Sequence, residues 1–308
     1  MKILRLSVLI FTFLLLSFSQ SNAQEFLVVA DEVCVQGPPG SSGAVLYRVN
    51  PINAAFEEIG PIGFDGVGAL AQIGDGRLIA GAKADQGNTK ISLLIEINPV
   101  TGQGTLIGTS GSSDGPGCGR INDLTYDPAS DTLYATGIQC DEEDGPNNDF
   151  TVRLLTINPD TGAQTIIGET GFEQVGNALA IDPSGTLFSS GCCSPTKEYY
   201  TINPNTGVAT LIATGEVEQQ LFNSFVFNPF NGELLGTSNL FPITNLASVN
   251  PFTGDITTIG QLPDCADGME FFELQPRPIP TLSEWGLIAM ASILGIVGLF
   301  AIRRRVVV

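Results

Sequence analysis

Three features of the 308-residue sequence point to an all-β fold assembled from repeats. First, an eleven-residue segment recurs: "NPINAAFEEIG" from Asn50, "NPVTGQGTLIG" from Asn98, "NPDTGAQTIIG" from Asn158, "NPNTGVATLIA" from Asn203 and "NPFTGDITTIG" from Asn250. Second, successive copies start 48, 60, 45 and 47 residues apart, the length of a four-strand unit. Third, the first and last units are incomplete in complementary ways. Together these predict a five-bladed β-propeller with four-stranded blades, closed by N- and C-terminal strands.

Each copy is flanked by short β-type runs. "VLYRV", "LLIEI", "RLLTI", "YYTI" and "LASV" precede the motif, and "FEEIG", "TLIG", "QTIIG", "ATLIA" and "ITTIG" end it. Asn-Pro-x-Thr-Gly between them is turn chemistry, because proline pre-sets φ and glycine supplies a positive φ. A second hairpin alternates with the first: "ALAQIGDGRLIAGA", "DLTYDPASDTLYATG", "ALAIDPSGTLFSSG" and "SFVFNPFNGELLGTS". The unit therefore reads strand A, strand B, loop, strand C, strand D, with no helical period in the body. The opening "FLVVADEV" aligns with strand B and the closing "MEFFELQP" with strand A, so the two ends pair to close the ring and protect its edges.

This topology puts the A–B and C–D turns on one face of the disc and the longer D–A and B–C connections on the other. Divergent loops on one rim are where function usually sits. Aligning the A strands places Gly68, Asn122, Asn177, Asn223 and Glu270 at one level of the channel mouth, with Asp123 next to them. Asn122, Asp123, Asn177, Asn223 and Glu270 are therefore the candidate ligand-binding residues, for a cation, a water cluster or a sugar hydroxyl; amides there also serve loop backbone. The tract Asp141, Glu142, Glu143, Asp144 with Asp149 offers the oxygen ligands that calcium takes, though not at the spacing of the helix–loop–helix calcium loop. Calcium, at Asp141, Glu142, Asp144 and Asp149, is the one candidate cofactor.

Composition removes several chemistries. The chain has no histidine, which excludes Ser-His-Asp catalysis and histidine-rich metal sites. Of 13 basic and 32 acidic side chains, 8 and 31 fall between Gln24 and Pro278, a net charge of −23 there, which repels a phosphate backbone and makes nucleic acid an unsuitable partner. A glycoside-active hydrolase is the competing expectation to a binding module. It needs two facing carboxylates roughly 5–10 Å apart, for which only Asp123 and Glu270 qualify, and the single tryptophan, Trp285, lies outside the repeats.

Both ends carry export features. Residues 1–23 combine Lys2 and Arg5, an apolar run and Ser21-Asn22-Ala23, the pattern of a signal peptide cut by signal peptidase before Gln24. Residues 24–278 form the propeller. Residues 287–302 are an unbroken apolar stretch at the short end of a bilayer span, followed by a basic tail, 303–308, that contains Arg303, Arg304 and Arg305. Positive charge marks the cytoplasmic side, so the body lies outside, in the periplasm of an inner-membrane-anchored precursor. In that oxidising compartment six cysteines suggest disulfides. Cys118 and Cys140 flank one A–B hairpin symmetrically, and Cys34 and Cys265 hold the same two positions in the composite blade. A Cys34–Cys265 bond would contribute on the order of 4–5 kcal/mol by closing a long loop. Cys192 and Cys193 are left as neighbours without an assigned role.

The stretch "IPTLSEWG", Ile279 to Gly286, with the apolar span and arginines behind it, closely resembles the IPTL-CTERM sorting signal, a relative of the PEP-CTERM signals of Gram-negative bacteria. The resemblance covers about the last thirty residues. It implies recognition of Pro280, Thr281, Leu282, Ser283, Trp285 and Gly286 in the sorting motif, 279–286, by an exosortase-type membrane protease, cleavage nearby, and delivery to the cell surface or extracellular matrix. The repeats also look like the uncharacterised β-propeller bodies often attached to such tails, a likeness that carries no activity. The sequence thus reads as an exported binding or scaffold module whose partners are extracellular polysaccharide or surface proteins.

Overall fold

The computed structural model describes residues 24–30, 43–86, 89–113, 120–139, 151–171, 178–191, 197–215, 221–240 and 243–273. In chain order the strands are β1 (Gln24–Ala30), β2 (Val45–Val49) and β3 (Phe56–Pro61), then β4 (Ala69–Gln72), β5 (Leu78–Gln86), β6 (Thr89–Ile97) and β7 (Gly104–Ser113). There follow β8 (Arg120–Asp127), β9 (Thr132–Gln139), β10 (Thr151–Ile157) and β11 (Gln164–Glu169), then β12 (Leu179–Ile181), β13 (Leu187–Gly191), β14 (Lys197–Ile202) and β15 (Ala209–Gly215). The last are β16 (Leu221–Phe227), β17 (Leu234–Leu240), β18 (Ile243–Val249), β19 (Ile256–Gln261) and β20 (Ala266–Glu273).

They form five four-stranded antiparallel sheets, and the predicted closure is present: β20 joins β1, β2 and β3 in one blade. Phe26 pairs with Phe271 and Leu27 with Glu270 across that seam. The Phe26 and Phe271 rings stack there with centroids 4.6 Å apart. The innermost strands β4, β8, β12, β16 and β20 touch one another in turn around the axis. Hydrophobic clusters fill the spaces between blades. Phe26, Met269, Val226 and Leu235 pack the joint of the last and first blades, and Ile79, Leu94, Leu124 and Leu155 that of the second and third.

The repeated motif has two structural duties. Within each C–D turn the leading asparagine's Oδ1 accepts the N–H two residues on at 2.9–3.0 Å, which replaces a backbone partner that the turn cannot supply. The motif's glycine, at φ 76–79° in Gly102, Gly162, Gly207 and Gly254, then lets the chain reverse. Ala54 holds the same place in the first blade at φ 57°.

The second duty lies between blades. Every C–D ladder has a β-bulge at the same place, opposite Leu46, Leu94, Leu154, Tyr199 and Leu246. The C–D turn of the next blade docks there, backbone against backbone. A Cβ built on Gly207 would stand 2.6 Å from the Gly168 carbonyl oxygen, and one on Gly60 would stand 2.5 Å from that of Thr101. Gly108 meets Thr161 and Gly260 meets Asn53 and Ala54 in the same way; in the fourth blade Ala213 holds the ladder position and Gly215, two residues on, meets Gly254, so a backbone joint recurs around the whole ring. The "Thr-Gly" of one blade and the "Ile-Gly" of the one before are the two halves of a contact closed by small residues, glycine at most joints and alanine at Ala54 and Ala213.

Candidate functional site at the propeller axis

Strand registers fix which residues share a level along the axis. Leu78 pairs with Gln72, Leu133 with Tyr126, Leu187 with Ile181, Leu234 with Phe227 and Phe26 with Phe271. Counting back four residues from each inner-strand partner reaches Gly68, Asn122, Asn177, Asn223 and Asp267. The fifth member of the ring is therefore Asp267, and Glu270 lies three residues further along the axis. This corrects the alignment drawn from sequence, which anchored the closing strand on its charged residue. The small residue that follows each ring position carried the better signal: Ala69, Asp123, Ala178, Ser224 and Gly268. Gly68 leaves room for its neighbour, since a Cβ there would meet Asp267 Oδ2 at 2.8 Å. Asn122 is buried, Asn223 is half-buried, and Asn177 lies outside the described residues.

Asp123 is wholly buried at the hub. Its Oδ1 accepts the Leu124 N–H at 3.0 Å and the Ser224 hydroxyl at 3.2 Å. Its Oδ2 accepts the Leu179 N–H at 2.8 Å and the Phe225 N–H at 3.2 Å. One carboxylate thus ties β8 to β12 and β16. Ser224 Oγ extends the tie by accepting the Met269 N–H of β20 at 3.3 Å. Burial pushes the Asp123 carboxyl well above its ordinary range, the three backbone N–H groups pull it down, and the charge of Asp267 raises it further. With four donors on its two oxygens, Asp123 has no lone pair left for a ligand. Its chemistry is that of a clamp on the inner strands.

Glu270 faces a cavity of about 110 Å³ lined also by Gln72, Thr125, Tyr126, Ile181 and Phe227, towards the end of the channel where the A–B turns lie. Burial pushes its carboxyl up to about 8, against the lowering effect of the Gln72 and Phe271 N–H groups. Glu270 is therefore protonated at neutral pH and presents a hydroxyl donor as well as an acceptor. Beside it, Gln72 exchanges two hydrogen bonds with the Glu273 backbone, at 2.8 and 2.9 Å, and so fastens β4 to the end of β20. The two carboxylates of the hydrolase expectation thus sit at different levels of the axis, and one of them is fully engaged.

The candidate calcium residues Asp141, Glu142, Asp144 and Asp149 lie outside the described residues, as do Cys34, Cys118 and Cys140. Cys265, at φ 60°, is disulfide-bonded. Among the described residues no group of three or more His, Cys, Asp or Glu is placed to hold a metal. No helix among them is long and apolar enough to cross a membrane; residues 1–23 and 274–308, with Pro280, Thr281, Leu282, Ser283, Trp285 and Gly286, fall outside them.

The last described strand ends at Glu273, and the sequence beyond it decides what kind of tail the ring bears. Residues 277–305 match the IPTL-CTERM motif. No curated protein matches the chain in sequence. Among solved structures, that of a nidogen/laminin complex is similar over 81% of this chain and 98% of that one, at 13% identity and a TM-score of 0.50. A periplasmic gluconolactonase of Pseudomonas aeruginosa aligns over 82% of this chain and 100% of its own, at 10% identity and a TM-score of 0.46. A protein from Lactobacillus plantarum aligns over 78% and 67%, at 15% identity and a TM-score of 0.44. At these identities the likeness is one of fold and brings no activity with it. The IPTL-CTERM motif carries the biological information.

Proposed function

We propose that this chain is an exported surface or matrix module: a closed five-bladed propeller that binds or scaffolds, delivered through its IPTL-CTERM tail. The observation that carries the reading is adjacency. The motif begins at residue 277, directly after the strand that closes the ring ends at Glu273. A folded domain that completes itself before the motif starts is suited to release by an exosortase-type protease cutting near 279–286, because no strand of the ring would be lost.

A binding role is favoured over catalysis by the axis itself. The buried carboxylate Asp123 is consumed in joining inner strands, which takes it out of the pair, Asp123 with Glu270, that hydrolysis would need. The acidic body suits partners such as extracellular polysaccharide or surface proteins. In the same reading, disulfides Cys34–Cys265 and Cys118–Cys140 fasten the ring in the periplasm after signal peptidase has acted.

The test replaces residues 279–286 with a Gly/Ser segment of equal length in the producing cell and compares cell fractions. The wild-type chain should reach the outer surface or matrix, and the altered chain should stay in the inner membrane. Equal distribution of the two would contradict the sorting role.

A further inference from the structure

The gap between an A–B turn and the C–D turn of the following blade recurs around the ring, and the protein fills it differently at different joints. Between the second and third blades Arg77 crosses it. Its Nη1 donates to the Pro159 carbonyl oxygen at 3.3 Å and its Nη2 to Asp160 at 2.7 Å, while Nε is held by Asp75 at 2.7 Å. Between the fourth and fifth blades the matching residues are Thr186 for Arg77, Pro251 for Pro159 and Phe252 for Asp160. Backbone bonds establish the match. Ile73 N–H donates to Arg77 as Asp182 N–H does to Thr186, and Asn158 N–H donates to Ala163 as Asn250 N–H does to Asp255.

Threonine is too short to cross, and at this joint, next to Thr186 through its bond to Asp182, lies a cavity of about 440 Å³, within the size range of small-ligand sites. Its lining joins the carboxylates of Asp182 and Glu233 to the rings of Phe188, Phe227 and Phe252, and includes no lysine or arginine. Phe227 and Phe252 both meet Phe188 edge-on, at centroid distances of 5.4 and 5.8 Å, so the rings brace one another. The carboxylates are braced too. Asp182 Oδ1 accepts the Ser184 and Thr186 N–H groups, both at 2.9 Å, and Glu233 accepts the Ser248 hydroxyl and the Asn231 amide, the latter at 3.1 Å.

We propose that this groove binds the guanidinium of an arginine side chain from an extracellular peptide or protein, between the same two turns that Arg77 bridges within the chain two blades earlier but with Asp182 and Glu233 as its carboxylates. A planar, weakly hydrated cation gains from both parts of the lining. It pairs with fixed carboxylates and stacks on aromatic faces, which a compact, strongly hydrated ammonium does less well. A strongly hydrated metal ion would use the carboxylates and gain little from the rings. The inference deepens the reading of the propeller as a binding module and rests on it. It does not depend on the sorting tail, so purified protein tests it separately.

The experiment titrates N-acetyl-argininamide into the purified chain, followed by calorimetry or amide chemical shifts, beside its neutral isostere N-acetyl-citrullinamide and N-acetyl-lysinamide. Saturable binding of the arginine probe is expected, about tenfold or more tighter than either comparator. Thr186→Arg supplies the groove with an internal guanidinium, as Arg77 does, and should abolish binding while the unfolding midpoint is kept or raised. Glu233→Gln should weaken binding about tenfold. No saturable binding of the arginine probe, equal binding of the citrulline or lysine probe, or undiminished binding in folded Thr186→Arg would each overturn the assignment.

Discussion

Alanine at Gly207 should destabilise the propeller far more than alanine at Gly185, although both glycines have a positive φ, 76° and 83°. The left-handed backbone costs an L-residue about 1–2 kcal/mol at either place. The lower entropy of the unfolded alanine chain returns about 0.4–1 kcal/mol. The surroundings differ. Around Gly185 nothing lies within 4 Å of a new Cβ, whereas at Gly207 it would stand 2.6 Å from the Gly168 carbonyl oxygen and 2.7 Å from its carbon. Those atoms belong to the backbone of the preceding blade, so relief requires opening the joint, at about 1–3 kcal/mol for overpacking. The expected losses are about 2–4 kcal/mol for Gly207→Ala and about 1 kcal/mol for Gly185→Ala. For a body of this size these correspond to roughly 5–15 °C and 2–4 °C in Tm. Urea and thermal unfolding of the purified chains, followed by circular dichroism, read both. Equal losses in the two variants would refute the claim that the repeated motif joins blade to blade.

Three further outcomes follow from the axis and the turns. Asp123→Ala strands three buried N–H groups and a hydroxyl, each at about 1–3 kcal/mol, and should yield no folded protein at 37 °C, whereas Asp123→Asn should fold with a loss of about 1–3 kcal/mol; a wild-type urea midpoint for the alanine variant would contradict the clamp. Glu270 holds its proton more tightly folded, to about pH 8, than unfolded, so its contribution is full below roughly pH 4.5 and fades as pH rises through 8. Glu270→Gln should therefore gain on the wild type by about 1–3 kcal/mol between those limits, a figure reduced for the partial opening of the side chain to the cavity; parallel stability–pH curves would contradict it. Asn158→Ala removes the acceptor of the Asp160 N–H at 2.9 Å and should cost about 1 kcal/mol in urea unfolding, with no loss counting against the turn assignment.

Much of the architecture was legible because a repeat reports its own period. The copies from Asn50 to Asn250 gave the blade number, and the lone B-type and A-type strands at the ends gave the closure between β1 and β20. Contacts between copies were less legible. Nothing in one copy says that Gly207 will meet Gly168, because that pairing depends on how neighbouring blades twist and approach. The axis shows the same limit. Asp123 looked like a channel-mouth ligand because it follows Asn122 in the aligned start of strand A. Its capture by Leu179, Ser224 and Phe225 arises only when three inner strands converge. Glu270 was misplaced by three residues because β20 offers several charged and small positions, and the sequence does not reveal that β20 bulges opposite Val29, between Ala266 and Met269. The open groove beside Phe252 was invisible for a related reason: it is lined by residues of two blades, Asp182 and Phe188 of the fourth with Phe227, Glu233 and Phe252 of the fifth.

The most direct measurement is the intact mass of the protein recovered from the outer surface or matrix of the producing cell, with the C-terminal peptide sequenced. The account predicts a chain that begins at Gln24, retains the whole ring through Glu273 and ends near residues 279–286, without the 287–302 span or Arg303–Arg305. A surface-located chain that still carries Arg303–Arg305 would contradict it.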